Sequence, residues 1–173
     1  FIALFSYLGA IGAPWIFGTT GGFYTLGRPL VAAAIVGFIL GDMTTALEVG
    51  VLIQAMYIGV VTPGAVMPFD VDYIGYLTTA LIILSQADPK IAPVLAVPIG
   101  LLGVMIWNLI WVINVYFAHK ADKYAEAAND VWVARMNILP QVMNFILRFG
   151  VALAILFFGQ GYLQNVVSLI PPV

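Results

Sequence analysis

The amino-acid sequence predicts an all-α, polytopic membrane protein with broken or re-entrant helices, and three observations carry that prediction. The first is composition: 63% of the 173 residues are hydrophobic, 8% are charged, and the mean hydropathy is +1.07. A water-soluble domain carries about 25% charged residues, so this chain has too few to clothe a water-facing surface. The second is a series of apolar runs of helical length, several interrupted by Gly and Pro. The third is the stretch 27–76, where Asp42, Glu48, Gln54, Asp70 and Asp72 are set into apolar arms and a Gly/Pro turn. Polar groups at membrane depth need a partner, a cavity or water. Irregular backbone is tolerated there only where protein buries it or it lines a cavity.

The elements follow in order. Phe1–Phe17 is an apolar segment interrupted at Gly9, Gly12 and Pro14, short for a bilayer core of about 30 Å. Part of the N-terminus is expected to be missing, since the chain begins without Met inside this run, and no signal peptide is expected. Gly18–Gly22 reads as a flexible link. Pro29–Leu40 is a helix with Pro in its first turn, where the missing N–H costs nothing. Gly41-Asp42 breaks it, and Met43–Val61 follows. The first of these arms covers only about 18 Å, and short interrupted segments are a sequence pointer to a transporter's solute site.

Thr62–Asp70 is expected to be a turn or re-entrant element, with Asp70 or Asp72 capping a helix over Tyr73–Gln86. Pro93–Ala118 is the clearest full span, with Trp107, Trp111 and Tyr116 placed for an interfacial belt. Residues 119–130 are the one hydrophilic stretch of any length, read as a helical continuation outside the bilayer. Trp132–Pro140 reads as interfacial, Gln141–Phe158 as a further span, and Gly161–Ile170 as a short amphipathic piece. The whole of 1–173 is expected to be one membrane-embedded domain.

Composition also excludes. The net charge is −2 with no basic run, which argues against nucleic acid as a partner. There is no cysteine, hence no disulfide, thiolate metal site or thiol nucleophile. No phosphate-binding loop is present, and no metal or cofactor is expected.

Ordered landmarks carry a resemblance. They are Arg28-Pro29-Leu30, then Val36–Asp42 (VGFILGD), then Gly50-x-x-x-Gln54-x-x-x-x-Gly59, then Gly64-Ala65 with Asp70. Further on come Ala118–Asp122 (AHKAD) with Asn129, and Gln164-Asn165 before Ile170-Pro171. In this order they resemble the IIC subunit of mannose/fructose/sorbose-type phosphotransferase (PTS) sugar permeases, over nearly the whole chain. The departures are Met67-Pro-Phe-Asp70, where relatives have a smaller Ala-Pro-Asp type sequence, and the 18–24 region. The resemblance implies the N-terminal two-thirds or so of a IIC subunit. It also implies pairing with a membrane subunit IID in a trimer of heterodimers, and soluble IIA and IIB phosphoryl carriers. A bacterial cytoplasmic-membrane location and docking of bacteriocins are implied as well.

The candidate substrate-binding residues are Asp70, Gln54, Glu48 and Asp72, and each has a plainer alternative. Asp70 matches the acid that the resemblance places here, and a carboxylate can accept two bonds from adjacent hydroxyls; its alternative is a helix N-cap. Asp72 competes for the same cap, and at i, i+2 the two acids would not face one another on a helix. Gln54 offers two donors and an acceptor, against an interhelical hydrogen bond. Glu48 has capping-box spacing from Thr45, against contact with a solute. Glu48 and Gln54, six residues apart, project about 120° from each other. Asp42 reads as an N-cap. Arg28 reads as a snorkelling anchor, His119 as an exposed histidine, and Arg148 as a cation needing a partner, with Asn144 one turn away.

These residues lead to a sugar-translocating subunit working by alternating access. No phosphoryl-carrying catalytic residue is expected in the chain. The rival readings are an ion-coupled transporter using Glu48, Asp70 and Asp72, and a scaffold or receptor with no solute path. Lys120, Lys123 and Arg135 against Lys90 place 119–130 in the cytoplasm by charge bias. Arg148, Glu48 and the Asp70/Asp72 pair look too many for the chain to satisfy alone, and the small-residue face Ala32–Ala34 with Gly37 and Gly41 looks open to a second chain.

Overall fold

The computed structural model describes residues 1–10, 21–60 and 66–168, and among these the secondary structure is entirely helical. Helix α1 is Ile2–Leu8, followed by a π-helical turn, Gly22–Leu26. Helices α2 (Pro29–Leu40) and α3 (Met43–Tyr57) form an antiparallel hairpin. Helix α4 is Val71–Ser85, and a 3₁₀ turn at Pro89–Ile91 leads into α5, Ala92–Glu126. Helix α6 is Asp130–Ser168.

The hairpin has a local cause. Gly41 ends α2 in the left-handed region at φ 79°, ψ 14°, a conformation glycine adopts without steric penalty. Asp42 then starts α3, its carboxylate accepting from the Thr45 amide at 3.1 Å. Ala33 and Gly37 on α2 face Gly50 and Ala46 on α3, so the two backbones lie close. Ala32 meets Gly75 of α4 in the same way. Ala32, Ala33 and Gly37 are thus covered from within the chain, while Ala34 lines an outer groove and Gly41 meets open space.

Helix α4 is the centre of the structure. Every residue from Asp70 to Ile82 is buried, and α1, α2, α3, α5 and α6 all pack on it. A helix apolar on every side belongs inside, and its hydroxyls are handled locally. Thr79 donates to the Gly75 carbonyl at 2.7 Å and Ser85 to Leu81 at 2.6 Å. The core runs through Tyr73, Leu77 and Leu81 to Ile99, Ile106 and Ala152 on the long helices. On the hairpin side it runs through Ile74 and Ile82 to Val49 and Ile53.

Helices α5 and α6 are different in kind. With 35 and 39 residues they reach about 52 and 58 Å at helical rise, and both are long and apolar enough to cross a bilayer. Their far ends project beyond the α2–α4 layer and join through Ala127–Asn129, where the Asn129 side chain accepts from the Trp132 amide. Lys120 lies over Tyr116 and Arg135 over Trp132, with Trp132 stacked on Tyr124. Cations paired with aromatic faces suit a membrane–water boundary.

Two expected breaks are absent. Helix α6 passes through Pro140 without ending, so Trp132–Pro140 and Gln141–Phe158 are one helix, and it runs on past Gly161 to Ser168. Away from water an interior proline is tolerated when neighbouring groups satisfy the freed carbonyl. The link expected at Gly18–Gly22 falls partly outside the described residues, but Gly22 is buried and opens the π turn.

Gly103 of α5 meets the Asp70 side chain so closely that a Cβ there would collide with it. Gly103→Ala is expected to push α5 from the α4 N-terminus and cost about 1–3 kcal/mol, as overpacking does. Thermal melting of the purified protein, compared with Gly150→Ala, which meets open space, checks this.

Candidate functional site

Asp70, Asp72 and Arg148 meet in the interior. The Arg148 guanidinium donates to Asp70 Oδ2 at 2.7 Å through Nη1, and to Asp70 Oδ1 at 3.3 Å and Asp72 Oδ2 at 2.6 Å through Nη2. It also sits 4.7 Å from the Tyr73 ring centroid, and the Tyr73 hydroxyl donates to the Arg148 carbonyl at 2.5 Å. All three charged residues are at most 1% exposed. Asp70 is at the same time the N-cap of α4, accepting from the Tyr73 amide at 3.3 Å.

This corrects three expectations. Arg148 finds its partners 76 and 78 residues away and not in Asn144, because α6 runs antiparallel to α5 and returns past the start of α4. Asp70 and Asp72 do converge on one cation, because Asp70 stands before the helix with φ −86°, ψ 88°, where i, i+2 helical spacing does not apply. The acids outnumber the cation by one, yet they are paired within the chain.

The depth of this cluster follows from α5. The Asp70 amide donates to the Gly100 carbonyl at 3.3 Å, and Gly103 touches the same residue. These positions lie about 12–17 Å along α5 from Ala92, near half of a 30 Å bilayer core.

A cavity of about 290 Å³ opens beside it. Phe23, Tyr24 and Arg28 line it from the π turn and the start of α2, Ile58 and Val60 from the end of α3, and Phe69 and Val71 from the entry to α4. Phe69 packs edge-on against Tyr57 at 5.4 Å, and the Arg28 guanidinium lies 5.6 Å from the Tyr24 ring centroid. Asp70 precedes the helix with φ −86°, ψ 88°, and Val71 opens α4. Residues 69 and 71 face the cavity, while 70 and 72 face Arg148.

The other candidates lie elsewhere. Glu48 is exposed on α3 and lines a groove with Asp88 and Lys90, just past the end of α4 and about 22 Å from Asp70 along that helix. Asp42, not Thr45, caps α3, so no capping box forms around Glu48. Gln54 is half-buried on α3. The structure thus gathers Asp70 with Asp72 and separates both from Glu48. Sequence reasoning missed Tyr24, Phe69 and the cavity role of Arg28. The available signal was an aromatic pair, Phe23-Tyr24, two residues before Gly27-Arg28-Pro29.

A family model described as the PTS system sorbose-specific IIC component matches residues 1–173. The chain belongs to that IIC family. Among IIC relatives, the fructose permease IIC component of Bacillus subtilis strain 168 is 32% identical over 149 residues, covering 83% of this chain and 55% of that protein. The PTS mannose-specific EIIC component of Escherichia coli K12 is 28% identical over 149 residues, covering 84% and 55%. The chain therefore spans about half the length of these relatives. Its fold superposes on a chain of the mannose transporter ManYZ in complex with microcin E492 with a TM-score of 0.76 at 23% identity, over 98% of this chain and 66% of that one.

Removing one member of a buried ion cluster leaves the other charges uncompensated, which costs about 3–5 kcal/mol. Arg148→Met, which strands two carboxylates, is expected to lose most of the folded, extractable protein. Asp72→Asn keeps one acid against one base and is expected to be far milder. Fluorescence-detected size-exclusion of the two variants, before and after a heat step, reads the difference.

Proposed function

We propose that this chain is the sugar-translocating membrane subunit of a phosphoenolpyruvate-dependent phosphotransferase permease. The observation that carries the proposal is the meeting of helix ends inside the protein. The start of α2, the end of α3 and the start of α4 converge on a cavity at the depth of the Asp70–Arg148–Asp72 cluster. Interrupted helices ending near the bilayer midplane are where secondary transporters bind their solutes, and membership of the IIC family supplies the class of solute.

In this reading the stretch 27–76 binds a hexose-like sugar. Asp70 and Asp72, held by Arg148, fix the start of α4 beside the site, and Gln54 supplies a neutral amide. Glu48, on the outer face of α3, serves the path to the site. Translocation is alternating access, one bundle moving against another. The phosphoryl group is carried by soluble IIA and IIB components and reaches the sugar at the inner face. A IID subunit completes the membrane complex as a trimer of heterodimers in the bacterial cytoplasmic membrane, and its exposed surface is available to bacteriocins.

Two measurements check this. Vesicles carrying the complete permease are expected to accumulate sugar phosphate only when phosphoenolpyruvate and the soluble carriers are supplied. Accumulation of unmodified sugar driven by a proton gradient would replace this reading with ion-coupled transport. For orientation, Ala125→Cys, at the exposed α5–α6 junction, is expected to resist a membrane-impermeant thiol reagent on intact cells and react after permeabilisation. Labelling on intact cells would invert the topology.

A further inference from the structure

From the cavity beside Arg28 we infer that the sugar ring is held by an aromatic and guanidinium subsite built from Tyr24, Phe69 and Arg28, and not by the paired carboxylates; the inference rests on the permease reading. The carboxylates Asp70 and Asp72 turn away from the cavity and share Arg148, while Phe69 lines it. Arg28 is half-buried at the cavity wall. Among the described residues no carboxylate pairs with it, and its contact is with the Tyr24 face. A guanidinium has five fixed N–H donors and no acceptor. It can therefore address two neighbouring hydroxyls with parallel bonds.

The remaining wall fits the same ligand. A pyranose presents C–H groups on its faces and hydroxyls on its edge, so it needs rings above and a donor at the rim. Tyr24 sits on a π-helical turn, a distortion found mostly at functional sites. The turn is pinned from behind, because the Tyr76 hydroxyl of α4 donates to the Leu26 carbonyl at 3.0 Å. At about 290 Å³ the cavity lies at the small end of the roughly 300–1,000 Å³ range of ligand pockets, which suits a monosaccharide and excludes a longer glycan.

The complete permease with its membrane partner, reconstituted in vesicles with the soluble carriers, is offered mannose, fructose, sorbose and N-acetylgalactosamine, the sugars in the names of its relatives. For the sugar that is taken up, Arg28→Met is expected to raise KM about 10- to 150-fold, the range for losing hydrogen bonds from a charged group. Arg28→Lys is expected to fall between this variant and the parent. Because the chain has no cysteine, Val60→Cys reports occupancy directly. The transported sugar is expected to slow its alkylation by N-ethylmaleimide at least several-fold, and inorganic phosphate to leave it unchanged. This second readout holds even where Arg28→Met fails to insert.

Uptake by the parent with an unchanged KM in a well-assembled Arg28→Met, or with unprotected Val60→Cys, overturns the subsite and leaves the permease standing. Protection by phosphate and not by sugar overturns it in favour of an anion site. Absence of uptake of all four sugars, with the carriers shown to be active, overturns the permease reading and this inference with it.

Discussion

One guanidinium holds two carboxylates in the dry interior of this protein, and most of the architecture depends on it. Charges that far from water persist only if paired and hydrogen-bonded, so Arg148, Asp70 and Asp72 fix where α6 meets the beginning of α4. Tyr73 reinforces the junction twice, with its ring face toward the cation and its hydroxyl toward the backbone that carries it. Gly103 leaves room for the Asp70 side chain against α5. Three helices thus share one polar joint, and the hydrophobic clusters extend from it in both directions.

The short helices follow from a second constraint. Twelve, fifteen and fifteen residues in α2, α3 and α4 give about 18–22 Å each, well short of a bilayer core. They stand beside two helices that are long enough to cross. An element that stops part-way leaves amides and carbonyls exposed at its end, and these are tolerable only in a polar or enclosed setting. The cavity and the ion cluster provide such settings next to each other, so the broken helices and the candidate site have one physical origin.

Much of this was legible in the sequence. Gly41-Asp42 announced the α2–α3 turn by glycine and cap chemistry, Asp70 offered a cap for α4, and the alternating charges of 119–126 announced a helix leaving the apolar layer. Pro140 misled, because its cost depends on surroundings that the residue itself does not specify. Arg148 was legible as a problem but not as a solution. A cation in an apolar run must find an acid, and nothing local says that the acid is 78 residues upstream. The cavity was invisible for a related reason. Its lining comes from three separated segments, and only their packing against α4 brings Tyr24, Val60 and Phe69 around one space.

Two kinds of contact meet along the four consecutive residues 69 to 72 at the entry to α4. Positions 70 and 72 share the Arg148 guanidinium and tie the start of α4 to α6. Positions 69 and 71 line the cavity and also pack on Tyr57 and the hairpin-side core. A change of size at 69 therefore alters the cavity wall and the packing on Tyr57 together.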